Sequence, residues 1–435
     1  MHMKNFFKKI IVFKITLLAR MVLLKYKPKI VAVTGNVGKT STKDAIYTVL
    51  ASEFFVRKSE KSFNSDIGVP LTILGCHNGW SNPFLWIKNI LHGLELVIFN
   101  KSYPMWLVLE VGADHPGDIK DITKWLFPDV VVVTRLGEVP VHVENFKSRD
   151  ELIAEKGYLV HALKKDGVLV LNHDDTDVMK FKEKAKAKCL TFGLSDGADV
   201  VSSNVSVMYE NNEGKEFPRG INFKINVDGN CVPITLEHVL GDQHIQPVLA
   251  GIAVGISQQL NLVKITSALA GHISPRGRMN LISGIKNTVI VDDTYNASPT
   301  ATTQALLSLK NTKVSGRKIV VLGDMLELGK FSAEEHRKIG VQVASFADMF
   351  VLVGLRMQGA KESALGAGLD VKKVFEHADS KCAGEFLQQQ IQPGDVILIK
   401  GSQSMRMERA VVEIMAHPEK REALLVRQEE EWQKR

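Results

Sequence analysis

The sequence predicts an α/β protein: a central three-layer α/β/α domain of the phosphate-binding-loop type, with a β-rich insertion, followed by a Rossmann-like α/β C-terminal domain. Three observations predict it. The apolar run Ile30-Val31-Ala32-Val33 feeds a glycine-bounded turn, "TGNVGKTST", and then a helix-like stretch. Short β-branched runs bounded by turn residues alternate with helical segments twice along the chain; such runs read as strands buried on both faces. Between the two series, residues 195–240 change to an alternating, turn-rich pattern that reads as antiparallel strands.

The elements follow in order. Residues 1–28 read as a basic amphipathic helix, with Phe6, Ile10, Phe13, Leu17, Met21 and Leu24 at helical spacing. Residues 1–29 carry eight cations and no acid, which leaves the rest of the chain near −1 against a total of +7. The basic character therefore belongs to this arm, and no nucleic-acid partner is expected. Lys14 and Arg20 interrupt the segment, making it a poor membrane span, and no signal-peptide cleavage pattern follows. Its apolar stripe is compatible with two neighbours: an anionic membrane surface, or the protein's own domain.

The central domain is expected over 29–272, with strands in "WLVLEVG" (106–112), "DVVVVT" (129–134) and "GVLVLN" (167–172). A boundary falls in "GHISPRGR". The second domain is expected over 273–418, with strands at 288–293, 318–324, 349–354, 373–378 and 395–401 and no GxGxxG fingerprint. Residues 419–435 read as a charged, solvated helix. The 435 residues suit two or three domains. Cys76, Cys189, Cys231 and Cys382 lie far apart, which argues against a zinc ribbon or disulfide framework and for a reducing cytosol.

The loop after β-rich residues 30–33 has a clear chemical reading. Thr34, Gly35, Asn36, Val37, Gly38, Lys39, Thr40 and Ser41 would wrap phosphates at a helix start, although Val33 stands where the common pattern has its first glycine. Lys39 supplies a point charge for β- and γ-phosphates and Thr40 a hydroxyl for Mg²⁺. Glu110, at the end of a predicted strand, would face the same phosphates. His142 follows another strand and Lys156 lies on a predicted helix; singly, each of these is a weak signal.

Together with "SFNSDIGVPLTIL", "LEVGADHPGDI", "VHVENFKSRDELIAEKG", "GRMNLISG", "VIVDDTYNASP", "VVLGDMLELG" and "IKGSQSMRMERAV", the loop resembles the Mur ligase family over about residues 28–415. The motifs of the second domain are similar to the branch that adds D-alanyl-D-alanine. The resemblance implies an ATP-dependent ligase of peptidoglycan precursor synthesis, working through an acyl phosphate on a muramyl-peptide acceptor and D-Ala-D-Ala. It implies a cytoplasmic monomer, with the arm at the inner membrane face if the stripe meets lipid. It also implies two Mg²⁺ ions, with Thr40, Glu110 and Lys156 around them, His142 at the second, and Lys156 as a carbamate. Arg278, Tyr295, Asn296 and Asp324 would contact the nucleotide; Asn64, Lys400, Ser402 and Arg406 would serve the substrates.

Three departures from the family pattern stand out. Thirty-three residues precede the loop, too few for the family's separate uridine-nucleotide domain, so a differently held or lipid-linked acceptor is expected. Gly241-Asp242-Gln243-His244 replaces the usual Gly-x-His-Asn, and Ser65-Asp66 replaces an Asn-Glu pair. Two rivals are a glutamate-type ligase of the same family and a non-catalytic nucleotide-binding membrane module. The first would show in a substrate panel; the second predicts binding without turnover.

Overall fold

A computed structural model describes residues 2–60, 63–80, 82–137, 145–429 and 432, with the side chains of 2–7 and 184 excepted. The run 29–34 forms β1 (Lys29–Thr34), all but its first residue buried. It sits inside a sheet with β2 (Val56–Lys58), β3 (Trp106–Glu110), β4 (Val130–Val133), β5 (Val168–Asn172), β6 (Lys188–Gly193), β7 (Val200–Asn212), β8 (Lys215–Val227) and β9 (Asn230–Glu237). The spatial order is β2-β3-β1-β4-β5-β6-β7-β8-β9. Pairing is parallel from β2 to β7 and antiparallel through β7, β8 and β9. The alternating segment thus extends the main sheet at one edge. Its far end leans on the second domain, where Tyr209 accepts from Lys313 N–H at 2.9 Å.

Alternation along the strands splits the core. Ile30, Ala32, Leu107 and Leu109 face one layer, while Val31, Val33, Trp106 and Val108 face the other. The first layer holds α1 (His2–Tyr26), with α3 (Gly68–Leu74), α4 (Pro83–Ile98), α5 (Asp118–Thr123), α6 (Arg149–His161) and α7 (Thr176–Lys184). The second holds α2 (Lys39–Ala51), α8 (Ile245–Ser257) and α9 (Leu262–Ala270).

The second sheet runs β10-β11-β15-β12-β13-β14, from β10 (Asn280–Gly284), β11 (Thr288–Asp293), β12 (Lys318–Gly323), β13 (Met349–Val353), β14 (Val374–His377) and β15 (Val396–Lys400). β10 is antiparallel to β11 and the rest are parallel. Helices α10 (Pro299–Asn311), α11 (Ser332–Ala344) and α12 (Gln358–Gly366) cover one face, and α13 (Ser380–Gln390) and α14 (Glu408–Ile414) the other.

One expectation needs correction, and one alternative is decided. The tail is not a solvated helix: after the single turn α15 (Arg421–Leu424), Leu425 is fully buried and Arg427 nearly so. The physical cause is a buried carboxylate, Glu408, to which Arg427 donates at 2.8 Å. In the arm, the stripe named from sequence does not make the packing face. Ile15, Leu18, Ala19 and Val22 enter the core, while Phe13, Leu17, Met21 and Leu24 stay exposed. The helix has apolar residues on two sides, and periodicity alone cannot tell which side is covered. Among the described residues no helix is long and apolar enough to cross a membrane.

Ile15→Ala is expected to destabilise the chain by about 2–4 kcal/mol, because Ile15 is fully enclosed. Phe13→Ala on the outer side should change it by less than about 0.5 kcal/mol. Thermal melting of the two variants against wild type checks the assignment of faces.

Candidate active site

The site begins with strand register. Val33 of β1 is opposite Glu110 of β3, so the loop after β1 and the carboxylate ending β3 emerge side by side. Strand order reverses about β1, and ligands of open α/β sheets collect at such a point. Gly35 and Gly38 adopt φ +136° and +85°. A Cβ at Gly35 would lie 2.0 Å from Thr134 Oγ1, so only glycine fits there, whereas Gly38 faces open space. Asn36 and Val37 donate their N–H groups to the Arg135 carbonyl at 2.8 and 3.1 Å, tying the loop to the end of β4. Gly38 then opens α2 without a side-chain cap, and an uncapped helix start is an anion-binding terminus.

Around that terminus the charged groups are unusually enclosed. Thr40 Oγ1 donates to Glu110 Oε2 at 2.9 Å, and Glu110 is buried. Asn64 Nδ2 approaches the other Glu110 oxygen at 3.4 Å. Gly112 makes that approach possible: its N–H donates to the Asn64 carbonyl at 2.9 Å, and a Cβ there would meet Asn64 Nδ2 at 2.8 Å. Lys156, on α6, donates to the Gly35 carbonyl at 3.0 Å. Burial, and next the Lys39 ammonium, pull its pKa down to about 7. Burial likewise lowers Lys39, against the attraction of Glu110. Both cations are held in a place that favours them only when an anion arrives.

One cavity of about 670 Å³ gathers these groups with residues of the second domain. From the first domain, Asn36, Val37, Gly38, Lys39, Thr40, Asn64, Glu110 and Lys156 line it. From the second come Arg278, Tyr295, Asn296, Ser402 and Arg406. Arg278 lies over the Tyr295 ring at 4.1 Å, and its Nε is buried with no hydrogen-bond partner among the described residues. That orphaned donor suits an anionic ligand. Ser402 Oγ accepts from Leu326 N–H at 2.8 Å, and Asn296 Oδ1 accepts from Ala297 N–H at 2.9 Å.

Other positions lie elsewhere. Thr34 and Gly35 are buried and line neither this cavity nor the smaller one beside it. Ser41 and Lys400 reach a smaller cavity at the domain junction, together with Gln243 and His244. Burial drives His244 to about 3, so its ring is neutral, with Nδ1 3.0 Å from Ser274 Oγ. Lys400 is consumed by Asp293, at 2.6 Å, and by the Asn296 carbonyl, at 2.9 Å. It fixes the loop bearing Tyr295 and Asn296. Asp324 lines neither cavity. Its carboxylate accepts from Met357 N–H at 3.1 Å, and Gly354, at φ +104°, gives it room. His142 lies outside the described residues, as does any part it plays at a second ion.

Some contributors escaped sequence reasoning. Glu155 accepts from the N–H groups of Gly117, Ile119 and Lys120 at 3.0, 2.7 and 2.9 Å, capping α5 and fixing the turn that carries Lys156. Glu408 holds Arg406 at 2.5 Å and Arg427 at 2.8 Å, and Trp432 of the tail borders the cavity. The adjacency of Glu155 to Lys156 was a usable signal; nothing in a charged tail marks Arg427 or Trp432.

For a metal, Thr40 Oγ1 and the Glu110 carboxylate offer adjacent hard oxygens, which fits Mg²⁺ with phosphate and water completing its shell. Among the described residues no group of three His, Cys, Asp or Glu side chains forms a metal cluster.

The two loop glycines separate sterics from backbone strain. Gly35→Ala is expected to lose folded protein or nucleotide binding outright. Gly38→Ala, with space for its methyl but a positive φ, should cost about 1–2 kcal/mol and leave a folded chain. Melting and calorimetric titration with ADP distinguish the two.

Comparisons with known proteins identify the family. A model of the Mur ligase middle domain matches residues 93–255, and one described as Mur ligase, glutamate ligase domain, matches residues 277–403. The UDP-N-acetylmuramoyl-tripeptide–D-alanyl-D-alanine ligase of Bacillus subtilis (strain 168) is 27% identical over 402 residues, covering 92% of this chain and 79% of the relative. That of Mycobacterium leprae is 29% identical, covering 86% and 71%. Among solved structures, a MurF ligase from Thermotoga maritima in complex with ADP matches with TM-score 0.75 and 26% identity, covering 94% of this chain and 84% of that one. A MurF from Acinetobacter baumannii gives 0.74 and 25%, covering 92% and 79%. With both of its domains matched, the chain belongs to the Mur ligase family.

Proposed function

We propose that this protein is an ATP-dependent amide ligase of peptidoglycan precursor synthesis that adds D-alanyl-D-alanine to a muramyl-tripeptide-like acceptor. One observation carries the reading: the uncapped start of α2, Lys39, the Thr40–Glu110 pair and Arg278 converge on a single cavity walled by both domains. A triphosphate laid there meets cations from both sides.

The chemistry has two steps. An acceptor carboxylate oxygen attacks the γ-phosphorus; that P–O bond forms as the bond to the β-phosphate oxygen breaks, giving an acyl phosphate and ADP. The amine of the incoming dipeptide then attacks the acyl carbon, phosphate leaves with its oxygen, and the amine sheds a proton. Lys39 and Arg278 neutralise charge growing on the transferred group, and the backbone at the start of α2 positions it. Mg²⁺, held by Thr40 and Glu110, would supply further neutralisation of the phosphates. Asn64 lies on the acceptor side of Glu110, and Arg406 offers a fork suited to a carboxylate of either peptide. In this reading the protein acts as a cytoplasmic monomer whose basic arm rests on an anionic membrane.

Phosphate release is expected only with ATP, a muramyl-tripeptide acceptor and D-Ala-D-Ala together. Equal release without the dipeptide, or with glutamate in its place, would overturn the assignment of substrates.

Lys156 is proposed to react with CO₂ to form a carbamate, with loss of a proton. Its pKa near 7 leaves a large neutral, nucleophilic fraction at physiological pH. In the unfolded chain the same amine stays protonated to about pH 10.4. Its burial therefore opposes folding fully below about pH 7, and that opposition fades as pH rises through 7 towards 10. Protein equilibrated with ¹³C-bicarbonate should show a carbamate carbon resonance that Lys156→Arg lacks. Turnover of Lys156→Ala should fall about 10²–10³-fold, with partial rescue by short carboxylates. A resonance unchanged in Lys156→Arg refutes the proposal.

A further inference from the structure

The outer face of α4 carries a second apolar stripe. Phe84, Ile87, Leu91, Leu94 and Ile98 recur at three- and four-residue spacing, each 39–79% exposed. On α1, Phe13, Leu17, Met21 and Leu24 are 40–75% exposed. The opposite faces of both helices enter one core cluster through Ile15, Leu18, Val22, Trp86 and Leu96. The helices also touch directly. A Cβ on Gly93 would lie 2.9 Å from Leu18 Cδ1, and Lys25 Nζ donates to the carbonyls of Leu96, Val97 and Phe99 at 3.0, 3.0 and 2.6 Å. Their C-terminal ends therefore coincide, and the two stripes lie side by side, facing away from the protein. A contiguous apolar surface of this kind on a soluble domain marks an interaction site.

The surrounding charge selects the occupant. At about 3.6 residues per turn, the α1 stripe runs between Lys9 and Arg20 on one side and Lys14 on the other, all exposed. Lys88 borders the α4 stripe. No acid occurs on α1, and the one acid of α4, Glu95, is paired with Lys101 at 2.8 Å and His92 at 3.4 Å. An apolar band edged by cations complements an anionic lipid surface. A second copy meeting this face about a two-fold axis would set cations against cations.

We infer that α1 and α4 together form a two-helix docking face for an anionic lipid bilayer, α4 supplying an apolar contact of its own beside that of the arm. The inference rests on the membrane reading of the arm and adds to it a helix of the catalytic domain. α1 also packs on α3, which begins shortly after Asn64.

The test uses the full chain and co-sedimentation with vesicles of phosphatidylglycerol and phosphatidylcholine, or of phosphatidylcholine alone. An α1 pair, L17E/L24E, and an α4 pair, I87E/L91E, are compared with wild type, and the milder I87S/L91S serves if the charged α4 pair melts early. Wild type should bind the anionic vesicles and release as salt rises. Each pair should weaken binding at least about tenfold, with circular dichroism and ATP-dependent phosphate release unchanged. Wild-type-like binding by both α4 pairs, with loss in the α1 pair, overturns the two-helix face while the arm reading stands. Indifference of the wild type to anionic vesicles overturns both. A wild-type dimer in light scattering that either α4 pair dissolves, without vesicle binding, assigns the face to a second copy and overturns the inference.

Discussion

The site depends on one constraint: β1 is held between β3 and β4 by parallel pairing on both sides. That register puts Glu110 beside the end of β1, from which the loop emerges. The Thr134 N–H donates to the Thr34 carbonyl at 2.9 Å, and Arg135 clamps the loop from the β4 side. A slip of one residue would turn Glu110 to the other face of the sheet. The Thr40–Glu110 pair would then be lost, although every local motif would remain.

The same placement explains why the cations are so poorly solvated. Lys39 and Lys156 both lose pKa chiefly through burial; the Lys39 ammonium lowers Lys156 further, and the Arg278 guanidinium lowers Lys39. Arg278 adds a third positive group, its Nε unpartnered among the described residues. Such a cluster is unfavourable by itself and becomes favourable around a polyphosphate. In the second domain, the buried Lys400–Asp293 pair and the shared carboxylate Glu408 have a different task. They fix the loops carrying Tyr295, Asn296 and Arg406, so the wall of the cavity is rigid where the charges are paired. The tail belongs to that wall, since Arg427 donates to the Thr294 carbonyl at 3.1 Å.

The opposite flank of the catalytic domain shows the reverse arrangement, with apolar side chains outside and polar groups recruited to join helices. Lys25 spends its ammonium on the C-terminal carbonyls of α4, and Tyr26 donates to the Leu96 carbonyl at 3.0 Å. These bonds align the two helices and leave their outer faces to the solvent or to whatever covers them.

The α/β class, the phosphate loop and most parallel strands were determined by sequence alone, because each is a local property. Runs such as Val130–Val133, short, β-branched and bounded by turn residues, read as doubly buried strands, and Gly-Lys-Thr after β1 reads as an anion site. The family resemblance added Lys156 and Arg278, which periodicity would have left as solvated or linker residues. Tertiary structure decided the rest. Which face of α1 is buried depended on its partner α4, since both faces are apolar. Asp324 and Lys400 sit at strand ends, where nucleotide and substrate contacts respectively were expected, and in the fold Met357 N–H and Asp293 are their partners. Arg427 is drawn in by the buried Glu408, and Trp432 borders the cavity with its carbonyl on Arg406. These outcomes depend on partners far apart in the chain, and local sequence carries no information about which partner arrives.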